Sequence, residues 1–214
     1  MTTNKNPGIY IHIPFCVRKC NYCAFLSGAS DEALRERYVK ALCEEIRIRA
    51  RLMSDHAHGV FDTIFFGGGT PSLLTSAQVA RIIDTLKMNF DIDSEAEVTL
   101  ESNPKALSME SLKGYRDAGV NRLSMGVQSM DDDILRRLGR IHTAHDVIRD
   151  VQNAREAGFD NINLDLMFAV PGSSLETTLI DIEAVTSLEP EHISFYSLQL
   201  EEGTASVSYT HLRA

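Results

Sequence analysis

Three cysteines near the start of the chain have the residue type and spacing to hold a metal centre. Cys16, Cys20 and Cys23 follow a Cys-x3-Cys-x2-Cys spacing. They come at the end of the apolar run 9–15, and Pro14 disfavours helical backbone just before them, so we expect a loop that leaves a strand. Thiolates are the usual protein ligands of iron–sulfur clusters. A four-iron cluster held by only three cysteines keeps one iron open for another ligand, and this spacing predicts that chemistry.

Other arrangements compete with a cluster at these cysteines. His12 could add a fourth ligand, and three cysteines with one histidine form a zinc set, so a structural zinc site stays open from these residues. A disulfide is disfavoured because the clustered thiols are odd in number and the N-terminal residues show no secretion signal. The remaining cysteine, Cys43, lies beside Leu42 and Ile46 in a predicted helix, and we expect it to pack in the core.

A second set of glycine and polar residues lies at or after the ends of other predicted strands. The glycines of Gly67–Thr70 would let a ligand approach the backbone closely. Asp165 stands between two leucines in an apolar strand, and a buried acid needs a partner or a ligand. Each residue also has an ordinary explanation, such as a tight turn, a helix cap or a paired structural acid. The candidates are Gly68, Gly69, Thr70, Glu101, Gln128, Arg140 and Asp165.

The elements that must position these residues alternate between strand and helix. The predicted strands are 9–15, 63–66, 97–101, 122–127, 161–167 and 192–198. Thr75-x-x-Gln78 and Ser173-x-x-Glu176 predict capping boxes at two helix starts. Strands separated by amphipathic helices predict right-handed βαβ units and a parallel sheet, which is an α/β fold. The pattern fits an open doubly wound sheet and a partial barrel equally well.

Together these motifs resemble the radical S-adenosylmethionine (radical SAM) family. The resemblance includes Tyr22, an aromatic residue before the third cysteine, and the segments Gly67–Pro71 and Glu101–Pro104. It is strongest with the branch that contains the oxygen-independent coproporphyrinogen III oxidases and the heme chaperones of the HemW type. It implies a partial (βα)6, TIM-like barrel, with a radical SAM core over residues 1–204 and the chemistry at the carboxyl ends of the strands.

The resemblance also implies a role for each candidate residue. The cysteines Cys16, Cys20 and Cys23 would hold a [4Fe–4S] cluster that an electron donor reduces. The residues that would contact the cluster-bound S-adenosylmethionine are Tyr10, Gly68 and Glu101. The residues that would line the site of a second such molecule are Tyr22, Gly69, Thr70, Gln128, Arg140 and Asp165.

Departures from the oxidase pattern bear on the function that the resemblance implies. The oxidases carry a fourth cysteine two residues after the third, whereas Cys23 is followed by Ala24-Phe25, as in the heme chaperones. We therefore expect a heme chaperone that binds heme for delivery to an acceptor protein. The alternative is a coproporphyrinogen III oxidase that converts propionates to vinyl groups in porphyrin biosynthesis, and whether the chain is an enzyme stays open. Ala169 replaces the first glycine of the usual segment after the fifth strand, which changes the backbone freedom there.

Charge and composition limit the partners. Lys plus Arg number 21 against 30 Asp plus Glu, a formal net charge of −9, which argues against binding to duplex nucleic acid. Arg18 and Lys19 lie between the cysteines and would meet the propionates of heme or a porphyrinogen, or else form a solvated loop. No stretch reaches the roughly 18 apolar residues of a membrane span, and we expect a cytoplasmic protein.

Two further segments have ordinary explanations. His142 and His145 have a spacing seen in metal sites, but Thr143 and Asp146 beside them predict a helix start, where we place both histidines. Residues 205–214 match nothing expected after the sixth strand, and we expect them to be a non-native or truncated tail.

Overall fold

The computed structural model describes residues 6–53 and 59–207. Six parallel strands form one sheet, and they are β1 Gly8–Ile13, β2 Phe61–Gly68, β3 Ile92–Ser102, β4 Arg122–Gln128, β5 Ile162–Phe168 and β6 His192–Ser197. The α-helices are α1 Glu32–Met53, α2 Ser76–Asn89, α3 Met109–Asp117, α4 Asp132–Leu138, α5 Ala144–Glu156 and α6 Leu175–Thr186. A 3-10 turn, Pro71–Leu73, follows β2.

The strand order decides between the two architectures that the sequence allows. Each strand pairs with the next one along the chain, from β1 to β6, and all pairings are parallel. A doubly wound sheet reverses its order at a switch point, so that helices cover both faces. An unreversed order with right-handed crossovers puts the helices on one face and curves the sheet around the other. The predicted partial (βα)6 barrel is confirmed.

The two faces of the sheet differ in polarity because side chains alternate along each strand. The outward row packs under the helices and is buried, and it contains Ile11, Phe66, Leu100, Leu123 and Ile162. Burying such a side chain contributes about 1.5–3 kcal/mol, so this face holds the core together. The inward rows are largely polar and contain Thr99, Glu101, Ser124, Asn163 and Asp165. The concave face therefore offers hydrogen-bonding groups to a ligand.

Local signals located most helix starts. Thr75 and Gln78 form the predicted capping box at α2, and Thr143 caps α5 as expected. The capping box predicted from Ser173 was wrong by one residue, because Ser174 accepts from the Thr177 N–H instead. Ser173 donates its hydroxyl to the Val170 carbonyl in the preceding turn.

Two remaining expectations concern membrane-spanning helices and the end of the chain. Within residues 6–53 and 59–207, no helix is both long enough and apolar enough to cross a membrane. The expected tail, residues 205–214, lies mostly outside the described residues, which end at 207.

Candidate active site

The carboxyl ends of the strands surround a cavity of about 630 Å³. Its walls include the three cysteines of the loop after β1 and residues from the ends of β2 to β6. The predicted site residues that line it are Cys16, Cys20, Cys23, Tyr22, Gly68, Gly69, Thr70, Glu101, Gln128, Arg140 and Asp165. Residues up to 149 positions apart in the sequence therefore meet in one place, as expected for strand ends on one rim of a barrel.

Tyr10 is the predicted site residue that does not line this cavity. It lies nearer the amino end of β1, away from the rim of the cavity. It is 57% exposed and belongs to a separate groove between β1 and α1. Its hydroxyl lies 3.4 Å from His12 Nδ1, and its ring stacks on Phe65. Burial and the nearby charge of Glu101 raise the pKa of Tyr10, so it remains a protonated phenol beside the cavity.

Backbone hydrogen bonds hold the cysteine loop in a fixed place. The Cys16 N–H donates to the Gly28 carbonyl at 2.9 Å, and the Gly28 N–H donates to the Pro14 carbonyl at 3.0 Å, which closes the neck of the loop. Farther along, the Asn21 N–H donates to the Leu138 carbonyl at 3.0 Å and ties the loop to the end of α4. The three cysteines carry free thiols that are partly exposed to the cavity. The loop therefore presents three free thiols to the cavity.

The arrangement of the thiols fits a cluster better than a single ion. Among residues 6–53 and 59–207, no three His, Cys, Asp or Glu side chains are grouped as one metal ion would require. A zinc ion needs all four ligand atoms within about 2.3 Å of one point, whereas a multi-iron cluster spans more widely separated thiolates. His12, the proposed fourth zinc ligand, directs its Nε2 to the Leu26 carbonyl at 3.3 Å. The zinc alternative has no support in this geometry, and the three-thiol donor set suits a [4Fe–4S] cluster.

The glycine segment after β2 is pressed against the start of the cysteine loop. A Cβ atom on Gly69 would lie 2.6 Å from the Phe15 carbonyl oxygen, and one on Gly68 would lie 2.5 Å from the His12 ring. The Gly69 N–H donates to the Ile13 carbonyl at 2.8 Å, and the Thr70 N–H donates to the Phe15 carbonyl at 2.7 Å. Side chains here would push the two segments apart, so the glycines allow the contact that carries Thr70 to the cysteines.

Two carboxyl groups face the cavity from β3 and β5. Glu101 accepts a hydrogen bond from the Gly68 N–H at 3.1 Å, and Asp165 accepts from Asn163 Nδ2 at 2.8 Å. Burial raises the pKa of Glu101 to about 7, and the charge of Asp165 adds to this effect. Burial also raises the pKa of Asp165. Two acids held against their own ionisation favour a cationic or hydroxyl-bearing ligand, which would relieve the cost.

Gln128 ends β4 in a conformation that side chains rarely adopt. Its φ of 72° lies in the left-handed region, next to a register shift between Gly126 and Gln128. Its buried side chain accepts a hydrogen bond from the Tyr196 hydroxyl at 2.9 Å. Strain of this kind costs of order 1–3 kcal/mol and is concentrated at functional sites. The bend turns the Gln128 amide into the cavity.

Asn103 and Tyr196 are among the side chains of the cavity wall that sequence reasoning missed. Asn103 lies in the segment Glu101–Pro104, but nothing in the sequence pattern distinguishes it from a turn asparagine. Tyr196 lies two residues after Ser194 and shares the inward face of β6 with it. Strand periodicity could therefore have identified Tyr196 once a barrel was expected.

The two histidines of the His-x2-His spacing do not meet at the cavity. His142 is buried beneath it, where its Nε2 lies 3.1 Å from the Val127 carbonyl, and burial lowers its pKa to about 4. His145 is exposed on the first turn of α5. Both lie at a helix start, as the neighbouring capping residues predict.

Family comparison defines the class of protein to which this fold and cavity belong. The model of the radical SAM superfamily matches residues 10–184, and the chain belongs to that superfamily. Membership confirms the predicted class and its cofactors, a [4Fe–4S] cluster and S-adenosylmethionine.

The most informative relatives lie in one branch of the superfamily. The chain is 40% identical over 198 residues to the heme chaperone HemW of Haemophilus influenzae, covering 92% of this chain and 52% of that protein. It is 41% identical over 196 residues to HemW of Bacillus subtilis, covering 91% of this chain and 51% of that protein. The chain thus spans about half the length of these curated relatives.

A solved structure agrees with the branch that the sequence motifs indicate. The coproporphyrinogen III oxidase HemN of Escherichia coli, described as a radical SAM enzyme, superimposes with a TM-score of 0.81 and 31% identity, covering 90% of this chain and 44% of that one. The predicted resemblance to the branch of HemW and HemN is confirmed.

Proposed function

We propose that this chain is the radical SAM core of a heme chaperone of the HemW type, which binds heme and delivers it to an acceptor protein. The observation that carries the proposal is the 34–41% identity to several HemW proteins over nearly the whole chain, against 31% to the oxidase HemN. The cavity wall agrees with this choice, because Ala24 and Phe25 occupy it after Cys23, where the oxidases carry a further cysteine. The Phe25 side chain is largely exposed and adds an apolar surface at the cavity mouth.

We assign Cys16, Cys20 and Cys23 as the ligands of the cluster. Bound together, the cluster and S-adenosylmethionine supply the one-electron chemistry of the superfamily. On this side of the cavity, the Glu101 carboxylate would hold a cationic or hydroxyl group of S-adenosylmethionine, and the Gly68 backbone allows close approach. The contact proposed for Tyr10 stays a prediction, because that residue lies outside the cavity wall.

The same cavity contains the residues proposed for a second S-adenosylmethionine. They are Tyr22, Gly69, Thr70, Gln128, Arg140 and Asp165. Burial raises the pKa of Tyr22 well above its ordinary value, so its ring and hydroxyl are neutral and help to exclude water. Asp165 provides a second buried carboxyl, and like Glu101 it would be stabilised by a cationic group of the ligand.

Arg18 and Lys19 provide a reason for a tetrapyrrole at the cavity mouth. Both side chains line the cavity and lie in exposed positions of the cysteine loop. Cationic groups at the rim of a partly apolar cleft suit a flat apolar molecule with carboxylate side chains, which describes heme. A cytoplasmic location suits the free thiols of the loop, because reducing compartments preserve them. The electron donor and the acceptor protein belong to this proposal as partners.

The second candidate function is propionate decarboxylation by a coproporphyrinogen oxidase. It is favoured by one observation, namely that Gln128, Arg140 and Asp165 gather in one cavity with the cysteines, in a fold that superimposes on HemN. The two candidates share the cofactors and differ in what becomes of the tetrapyrrole, so a product assay separates them.

The test begins with anaerobic reconstitution with iron and sulfide. Reduced protein should give the electron paramagnetic resonance signal of a [4Fe–4S]⁺ cluster that changes when S-adenosylmethionine is added. Cys20→Ala should abolish this signal, whereas Cys43→Ala should keep it, since Cys43 is buried in α1 away from the cavity. Uptake of zinc without iron would refute the proposal.

Tetrapyrrole binding then separates the two functions. Hemin titration followed by absorbance, and transfer of heme to apomyoglobin, should succeed, and coproporphyrinogen III should yield no vinyl product. Removing both Arg18 and Lys19 by alanine substitution should weaken hemin binding. The matched control removes Arg37 and Lys40, two exposed cations of α1, and should not. Vinyl product would favour the oxidase.

A further inference from the structure

Asn103 has no assigned role, yet both ends of its side-chain amide are occupied by residues of the cavity. Its Nδ2 donates to Thr70 Oγ1 at 2.8 Å, and its Oδ1 accepts from Arg140 Nη2 at 2.5 Å. The three residues come from different elements, since Thr70 follows β2, Asn103 follows β3 and Arg140 follows α4. Asn103 therefore joins side chains that the backbone alone would not hold in contact.

Each partner of Asn103 also reaches a cysteine sulfur. Thr70 Oγ1 donates to Cys16 Sγ at 3.6 Å, and Arg140 Nη1 donates to Cys20 Sγ at 3.4 Å. A continuous path of hydrogen bonds thus runs from Cys16 through Thr70, Asn103 and Arg140 to Cys20. We call these five residues the polar arc.

The chemistry of the amide gives the polar arc a direction. Arg140 has only donors, so the amide oxygen of Asn103 must face it, and the amide nitrogen must then face Thr70. Because the nitrogen donates to the Thr70 oxygen, the Thr70 hydroxyl hydrogen is free to point at Cys16. The second nitrogen of the Arg140 fork points at Cys20 in the same way. The arc directs one donor onto each of these two sulfurs.

The location of the arc makes these donors effective. Thr70 is only 4% exposed, and Arg140 is anchored further by a hydrogen bond to the Gly126 carbonyl. Hydrogen bonds in such a partly desolvated wall are stronger than in water. Donors to the sulfur ligands of an iron–sulfur cluster stabilise the more negative, reduced state, and they raise its reduction potential.

We propose that Asn103 is a positioning residue that directs the Thr70 hydroxyl and the Arg140 guanidinium onto the sulfurs of Cys16 and Cys20, and so raises the reduction potential of the cluster. The inference rests on the cluster of the proposed function. It gives Arg140 a contact with the cluster ligands in addition to any contact with S-adenosylmethionine.

The test is a redox titration of the reconstituted chain, followed by electron paramagnetic resonance. Asn103→Ala removes both amide contacts, and at a fixed ambient potential the ratio of reduced to oxidised cluster should fall about tenfold, equivalent to a potential lower by about 59 mV. Asn89→Ala is the control, because that asparagine donates its side-chain amide to the Thr85 carbonyl within α2, and the ratio should not change. Iron and sulfide content measured in parallel corrects for any loss of cluster.

Substitutions at Thr70 keep the test decisive if Asn103→Ala takes up too little iron. Thr70→Val removes the hydroxyl and should lower the ratio, whereas Thr70→Ser keeps it and should restore the original value. The double variant Thr70→Val with Asn103→Ala should lower the reduction potential by clearly less than the sum of the two single shifts. Such coupling is expected only if Asn103 acts through Thr70.

Two results would overturn the inference. One is an unchanged potential in Asn103→Ala at full iron content. The other is a potential that is the same in the Thr70→Val and Thr70→Ser variants. If the unmodified chain binds no cluster, the proposed function fails as well. A cluster with a normal response to S-adenosylmethionine and no dependence on Asn103 or Thr70 would refute the polar arc alone.

Discussion

Replacing Glu101 by glutamine should stabilise the protein at alkaline pH in the absence of ligands. The Glu101 carboxyl is held among buried groups near Asp165, which raises its pKa from an ordinary 4.5 to about 7. Ionising it in the folded protein is therefore unfavourable. Glutamine keeps an oxygen that can accept the Gly68 N–H and carries no charge, so the variant avoids this cost.

The sign and size follow from linkage between ionisation and folding. A carboxyl whose pKa is raised in the folded state stabilises the fold fully below pH 4.5, and this contribution is lost as the pH rises through 7. The difference between 4.5 and about 7 corresponds to about 3 kcal/mol. Because Glu101 is partly exposed to the cavity, solvent screening reduces the expected effect to about 1–2 kcal/mol.

The assay is urea unfolding of the chain without cofactors, under reducing anaerobic conditions, at pH 4 and pH 8. The free energy of unfolding of Glu101→Gln should exceed that of the unmodified chain by about 1–2 kcal/mol more at pH 8 than at pH 4. Glu95→Gln changes an exposed carboxyl at the start of β3 and should show no such difference. If Glu101→Gln behaves like this control, the burial argument at the site is wrong. A confirmed gain would mean that the site keeps an acid at the expense of stability, as binding sites often do.

Three further predictions test the backbone and the core around the site. Gly69→Ala would force a Cβ to 2.6 Å from the Phe15 carbonyl oxygen. We expect the reconstituted iron content to fall by about half or more, and the free energy of unfolding to fall by about 1–3 kcal/mol. Gly28→Ala has no atom within 4 Å of the new Cβ and is the control, and equal iron content in the two variants would contradict the packing argument. Ala169 has a φ of 57°, in the left-handed region that favours glycine, so Ala169→Gly should raise the free energy of unfolding in urea by about 1 kcal/mol. A loss of stability would show that this conformation carries no strain. Tyr115→Phe removes a buried hydroxyl whose single hydrogen is shared between the Leu74 carbonyl at 2.7 Å and the Ser72 carbonyl at 3.0 Å. The free energy of unfolding in urea should fall by about 1–3 kcal/mol, and an unchanged urea midpoint would contradict this expectation.

Local sequence signals predicted several features because the physical cause is local. The thiols of Cys16, Cys20 and Cys23 are close in sequence, so their spacing alone indicates a shared ligand. The capping box at Thr75 involves residues three positions apart and depends on little else. The box predicted at Ser173 failed because that hydroxyl is used by the preceding turn, a competition between neighbouring local bonds that the pattern does not rank.

The site as a whole depends on where the strands end. The sequence indicated that Glu101 and Asp165 follow or lie in strands, and the parallel sheet then brings them to one rim. Tyr10 shows the limit of this reasoning, because it lies on the correct face of β1 but too low to reach the cavity. A shift of a few residues along a strand changes height by several ångströms, and strand boundaries are poorly specified by the sequence.

Residue type and short-range spacing were enough to predict the alternation of strands and helices and the cysteine loop, because the physical causes of both are local. The class of cofactor came from all the motifs together, since the cysteines taken alone also allowed a zinc site. The alternation alone did not distinguish a doubly wound sheet from a barrel, and the strand order confirmed the barrel that the family resemblance implied. Only the tertiary structure joined Asn103 to Thr70 and Arg140, which are 33 and 37 residues away. Contacts of that range are fixed by how the sheet curves and how its helices pack, and no periodicity in the chain records them.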